Sequence, residues 1–301
     1  MGGIDLDPTQ KPGQRVRPHS VGTCATLACL WEATAAKPGN VYRGADFVDL
    51  TYADFLVSAA VIGPYLENAR ERGVGATILA AVRATRTAIG TNTNLGTILL
   101  LAPLAVVPIT QPLATGLGGV LMRLNEADTR DTYEAIRFAQ PGGLGEVDEA
   151  DVHKKPVPSM NLIEAMRLAM DRDCVARQYV NGFQQVFRTA ERVFTNTKSG
   201  LPLGESIVHA FMQLLSEMPD SLIARKCGLS TAMSVTVRAA KIMDQWETRS
   251  TDYRDAVGEF DFYLRSDGHR LNPGTTADIM AAALFVLLRE QRIDWPVKFY
   301  G

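Results

Sequence analysis

The sequence predicts an all-α protein, a single multi-helix bundle of roughly ten helices. Three observations predict it. Apolar residues recur at helical intervals in segment after segment. Runs of strand length that alternate apolar and polar residues are missing. The helical segments open on Ser, Thr, Asp or Asn and close on Gly or Pro, as helices do. At 301 residues the chain is long enough to bury a substantial core, and its 46% hydrophobic and 21% charged residues are ordinary for a soluble globular protein.

Taken in order, residues 1–18 carry no apolar pattern and read as a flexible N-terminal arm, leaving 19–301 as one helical domain. "TYADFLVSAAVIGPYLENARERG" opens with Thr51 and Asp54 in capping-box spacing and ends near Gly73. "GATILAAVRATRTAIG" stops at Gly90, and "LGTILLLAPLAVVP" (95–108) is apolar all round. That stretch is too short for a membrane span and reads as a helix buried at the centre of the bundle. "DTRDTYEAIRFAQPGG" is ended by Pro141 and the glycines after it. The polar stretch 142–159 is the one long irregular connection. "NLIEAMRLAMDRDCVARQYVNGFQQVFRTAERVF" gives one long or two consecutive helices. "LGESIVHAFMQLL", "LSTAMSVTVRAAKIMDQW" and "TTADIMAAALFVLLREQ" complete the set.

Composition excludes several classes. A net charge of −2 gives no reason to expect nucleic acid or an anionic membrane as partner. Cys24, Cys29, Cys174 and Cys227 form no CxxC pair and point to reduced thiols in a cytoplasmic protein. The N-terminus has no signal-peptide core, and Leu6 replaces the hydroxyl residue a myristoylation signal needs.

In a helical protein the informative residues are polar ones at helix mouths. Four places stand out: "WEATAAKPGNVYRGADFVD" with Glu32, Lys37 and Asp46; "TNTNLGTILL" with Asn92 and Thr93; "PDSLIARKCG" with Asp220 and Arg225; and "LNPGTTADIM" with Asn272, Gly274, Thr275, Thr276 and Asp278. Each has a plain structural reading. Glu32 and Lys37 fit a solvated helix end, Asn92 and Thr93 fit caps, and Asp220 fits an N-cap. Thr275 and Asp278 stand at capping-box spacing.

These four stretches, in this order, resemble the motifs of the triphosphoribosyl-dephospho-coenzyme A synthase family: a P-K-P-G turn, an N-T-H-K-G turn into an apolar helix, a D-[ST]-L-[IV]-x-R segment and a closing N-P-G-[GT]-x-A-D. The resemblance runs from about residue 25 to 290. It implies an all-helical enzyme in which a hydroxyl of an acceptor attacks the ribose C1′ of ATP and displaces adenine. It implies Glu32, Asp46 and Asp278 as catalytic or Mg2+-holding acids. For the nucleotide and its phosphates it implies Lys37, Asn92, Thr93, Asp220, Arg225, Asn272, Gly274, Thr275 and Thr276. The open N-terminus of the last helix offers N–H groups to an anion, so "NPGTTAD" is expected to be both a helix start and a phosphate cradle.

The sequence also departs from the family. Asn94 and Leu95 stand where N-T-H-K-G has histidine and lysine, and the family's G-A-H followed by an acid becomes Gly44-Ala45-Asp46, with Asp49 the other match. The family's central H-G-E motif and its later G-x-R-G-E-A segment are both missing. This looks like a divergent branch associated with tetrahydromethanopterin-dependent one-carbon metabolism. Three functions stay open: ribosyl-phosphate transfer from ATP to a coenzyme A-like or methanopterin-pathway acceptor, a kinase or phosphate-ester hydrolase on the same scaffold, or non-catalytic nucleotide binding.

Overall fold

A computed structural model describes residues 19–140, 159–246 and 251–301. The expected arm and most of the expected irregular connection lie outside the described residues. About 70% of the described residues are helical, and their β structure is one isolated bridge between Tyr42 and Ala45. The all-α expectation holds. The count does not: fifteen helices are present among the described residues, α1 (Val21–Thr34) through α15 (Gly274–Arg289). The excess comes from short elements and from breaks that periodicity cannot see. The stretch expected as one or two helices is three, α8 (Leu162–Ala169), α9 (Cys174–Asn181) and α10 (Gln184–Lys198). Asp173 starts α9 by accepting from the N–H groups of Val175 and Ala176 at 2.8 and 3.1 Å, and Gly182 ends it in the left-handed region.

Two helices form the centre. In α5 (Leu95–Val106) ten of the twelve residues are buried, Pro103 included. In α15 the buried run extends from Ile279 through Arg289, with α1, α5, α10 and α11 (Leu203–Glu217) packed around it. A helix surrounded on all sides gains nothing from an amphipathic pattern, which is why both read as continuous apolar runs.

The ends of the helices are tied together by acids from elsewhere in the sequence. Thr51 and Asp54 form the expected capping box on α2 (Tyr52–Glu67). Glu67 at the end of α2 accepts from Gly22 N–H in the first turn of α1 at 2.5 Å. Asp128, in the capping box of α7 (Glu126–Ala139), accepts from Gly75 N–H at the start of α4 (Val74–Ile89) at 2.8 Å. Glu290 does the same for Leu113 at the start of α6 (Leu113–Leu121), 2.7 Å. Each carboxylate satisfies an N–H that the helix itself leaves open and meets the positive end of its dipole. The bundle is thus cross-linked at helix mouths, where the motif residues also lie.

Candidate active site

A cavity of about 700 Å³ opens where the four motif stretches meet. Glu32 of α1, Asn92 and Thr93 of the turn before α5, Arg225 of α12 (Ser221–Cys227), and Asn272, Gly274, Thr275 and Asp278 around the start of α15 all line it. Residues up to nearly the whole sequence apart converge on one site.

Lys37 does not line it. The helix α1 ends at Thr34 and the backbone turns back through Lys37-Pro38-Gly39, burying the lysine completely (0% exposed). Its ammonium bonds the Glu32 carboxylate at 2.9 Å, the Glu32 carbonyl, and the Ala35 carbonyl at 3.2 Å. Three donors meet three acceptors, so nothing is left for a phosphate. The lysine caps the C-terminal end of α1 and aims Glu32 into the cavity. Gly39 makes the turn possible. It sits at φ +76°, and a Cβ there would meet Leu264 and Pro273 at 2.9 Å.

Asp278 is held at the opposite helix mouth. Its carboxyl lies against Gly96 and accepts the Thr97 hydroxyl at 2.7 Å, in the first turn of α5. A Cβ at position 96 would overlap the carboxyl, so the glycine of the turn motif makes room for an acid rather than for a ligand. Removal from water pushes Asp278 up to about 8, with the nearby negative charges of Glu32 and Asp220 adding to the rise and the Thr97 bonds opposing it. The expected Thr275–Asp278 capping box does not form: α15 has no side-chain cap, because Asp278 has turned to α5.

The mouth of α15 is filled by Asp220. One carboxylate oxygen accepts from Leu222 and Ile223 N–H (2.8 and 3.1 Å), capping α12; the other accepts the Thr276 N–H and hydroxyl (2.7 and 2.8 Å). Asp220 is 1% exposed and lies outside the cavity lining, as does Thr276. Thr275 lines the cavity, but its hydroxyl accepts from Ser221 at 3.0 Å. The expected phosphate cradle is therefore already occupied by a protein carboxylate. Gly274 is also less a ligand approach than a packing necessity, since a Cβ there would meet Leu222 at 2.6 Å.

Asp46 is likewise corrected. It is exposed, accepts from Tyr52 N–H at 2.6 Å at the start of α2, and does not line the cavity. Asp49 does, beside His269 (3.4 Å between Oδ1 and Nδ1), whose ring lies 5.1 Å from that of Phe47. Asn92 caps α5 through Leu95 N–H at 3.1 Å, and Thr93 shares a 2.6 Å bond with Ser58. Both still line the cavity, so the cap and the site are compatible.

Sequence reasoning missed several residues. Thr97 reads as one more residue of an apolar helix, although a hydroxyl in the first turn of such a helix is a signal. Asn40 donates to Asn272 at 2.5 Å and leaves its own Oδ1 buried without a partner, and Asn94 Nδ2 is buried and unpartnered too; both residues line the cavity. Arg225 pairs with Asp173 at 2.7 Å and keeps an unpartnered Nε, and Lys226 beside it also lines the cavity. Burial holds Lys226 below the ordinary lysine range. Among the described residues, no three His, Cys, Asp or Glu side chains group as a metal site, and no helix is long and apolar enough to cross a membrane.

Comparison with known proteins supplies the context. No curated protein matches the chain. A crystal structure from Archaeoglobus fulgidus, provisionally named a triphosphoribosyl-dephospho-coA synthase, matches with a TM-score of 0.60 and 29% identity over 78% of this chain and 98% of that one. The family model of the ATP:dephospho-CoA triphosphoribosyl transferases matches residues 18–297. With nearly its whole length covered by that model, the chain belongs to the ATP:dephospho-CoA triphosphoribosyl transferase family, a family of transferases that use ATP.

Proposed function

We propose that the protein moves a ribosyl-phosphate group from ATP to a hydroxyl of a small acceptor of the coenzyme A or methanopterin-pathway kind. The observation that carries the reading is the meeting of Glu32 and Asp278, from the first and last helices, in one cavity with Arg225 and Lys226. Arg225 and Lys226, with Arg86, are cations on the cavity wall that a triphosphate can meet. Asn40, Asn94 and Asn272 offer amides to the ribose and base.

Asp278 carries the proton traffic. Held near 8, it is largely protonated at neutral pH and gives its proton to adenine as the C1′–N9 bond breaks and the bonding electron pair leaves with the base. Glu32, fixed by Lys37, faces the positive charge that develops at C1′. The acceptor oxygen then forms its bond to C1′, and its hydroxyl proton returns to Asp278. The products are free adenine and the triphosphoribosylated acceptor, and the enzyme ends as it began.

Mg2+ fits this site to a limited degree. It is commonly held by one or two carboxylates plus substrate phosphates, and Glu32 with the triphosphate supplies such a set; Asp278 joins once deprotonated. When bound, the ion would neutralise phosphate charge.

Incubation with ATP and 3′-dephospho-coenzyme A, followed by chromatography, tests the reading. Free adenine is expected. ADP or phosphate without adenine makes the protein a kinase or hydrolase, and binding without turnover makes it a nucleotide-binding protein. The replacement of the family histidine and lysine by Asn94 and Leu95 favours an acceptor other than dephospho-coenzyme A. Acceptor-stimulated adenine release is therefore expected to be weak with that compound.

A further inference from the structure

One wall of the cavity has no use for a triphosphate. Ala165, Leu168 and Ala169 present one face of α8 to the cavity at helical spacing. Ile136 of α7, Val175 of α9 and Leu95 of α5 continue the same apolar lining. Apolar surface facing an open cavity stays in water until a ligand covers it, and covering it is favourable in proportion to its area. Leu95 extends this wall to the polar turn at the very position where the family motif carries lysine.

Arg172 follows the α8 stripe by one turn and also lines the cavity. It is exposed, donates to the Leu168 carbonyl at 2.9 Å, and makes no ion pair with any described carboxylate. The bond to Leu168 fixes the guanidinium beside the wall and leaves further N–H groups in the planar fork that suits a carboxylate, sulfonate or phosphate.

We infer that the α7–α9 wall with Arg172 is the acceptor subsite, and that it takes an acceptor with an elongated apolar or aromatic body ending in an anionic group. The inference rests on the proposed two-substrate reaction, but it makes its own demand on the cavity: two ligands bind side by side. The donor lies between Glu32, Asp278, Arg225 and Lys226, and the acceptor's body lies along α8.

The probe is 8-anilinonaphthalene-1-sulfonate, an aromatic anion whose fluorescence rises in apolar sites. It is titrated into the full-length protein and into Leu168→Glu and Arg172→Ala, with Mg-ATP affinity measured separately by calorimetry. Both positions are exposed, so the variants are expected to keep the wild-type circular dichroism spectrum. The expected result is saturable dye binding that weakens at least tenfold in each variant and is unchanged by saturating Mg-ATP. Mg-ATP affinity should stay within twofold in both. Unchanged dye affinity in both variants, or displacement of the dye by Mg-ATP, overturns the inference. Failure of wild-type protein to bind Mg-ATP at all overturns the donor reading instead, and the dye titration is read without it.

Discussion

Asp220 and Asp278 are the same residue type at the same kind of place. Each is contributed by one helix end to the N-terminus of another: Asp220 to α15, Asp278 to α5. Removal from water raises both above the ordinary aspartate range. They differ in what completes them. Asp220 receives four hydrogen bonds, two from α12 and two from Thr276, and is sealed from the cavity. Asp278 receives the Thr97 hydroxyl, faces the cavity and feels the charge of Glu32. A carboxylate whose acceptor capacity is filled by protein is a joint. One that is desolvated but only partly satisfied is poised to exchange a proton or bind a cation.

Removing Asp220 is the largest break in this comparison. Asp220→Ala orphans buried N–H groups on two helices and is expected to cost about 3–4 kcal/mol. The midpoint of urea unfolding measures it, and a loss below about 1 kcal/mol would show that water replaces the carboxylate.

Asp278→Asn is expected to do the reverse. Below about pH 4 stability should change by less than about 1 kcal/mol, because the protonated acid and asparagine both accept from Thr97, and at neutral pH the variant should be the more stable of the two. Adenine release should fall by at least about a hundredfold, equivalent to about 2.7 kcal/mol of barrier. Turnover near wild type in a folded variant would return Asp278 to the role of a joint.

The same variant sharpens the comparison through pH. Unfolded aspartate ionises near 3.9, whereas folded Asp278 holds its proton up to about 8. Between those values the folded state carries the extra proton. Asp278 therefore contributes most to stability below about pH 4 and loses that contribution as pH rises toward 8. Melting temperatures of wild type minus Asp278→Asn should accordingly decline across this window; a flat difference contradicts the assignment.

Thr97→Val is the mildest test. It removes a donor that favours the charged form of Asp278, so the acid should rise further. The basic limb of the activity profile should move to higher pH, with a stability loss of about 1 kcal/mol. An unmoved profile would mean that the Thr97 bond does not tune the acid.

Much of this molecule was legible in the amino-acid sequence. Helical periodicity, caps and breakers determined the all-α class, and the continuous apolar run at 95–108 announced one of the two buried central helices. The motif order determined the family, and Glu32, Asn92, Arg225, Asn272 and Asp278 from its four stretches line one cavity. What the tertiary structure alone decided was which polar residues face the cavity and which are consumed by the fold. Lys37 reads as a phosphate ligand until its three donors are seen to be taken, and Thr275 with Asp278 reads as a capping box until Asp278 is seen on α5. The α8 wall and Arg172 belong to no motif, and nothing local in the sequence marks them as cavity lining. The reason is one of range. Helix formation depends on neighbours three or four positions away, which a sequence displays. Whether a carboxylate is satisfied depends on N–H groups brought to it from 56 or 181 residues away, as with Thr276 for Asp220 and Thr97 for Asp278, and only packing sets those distances.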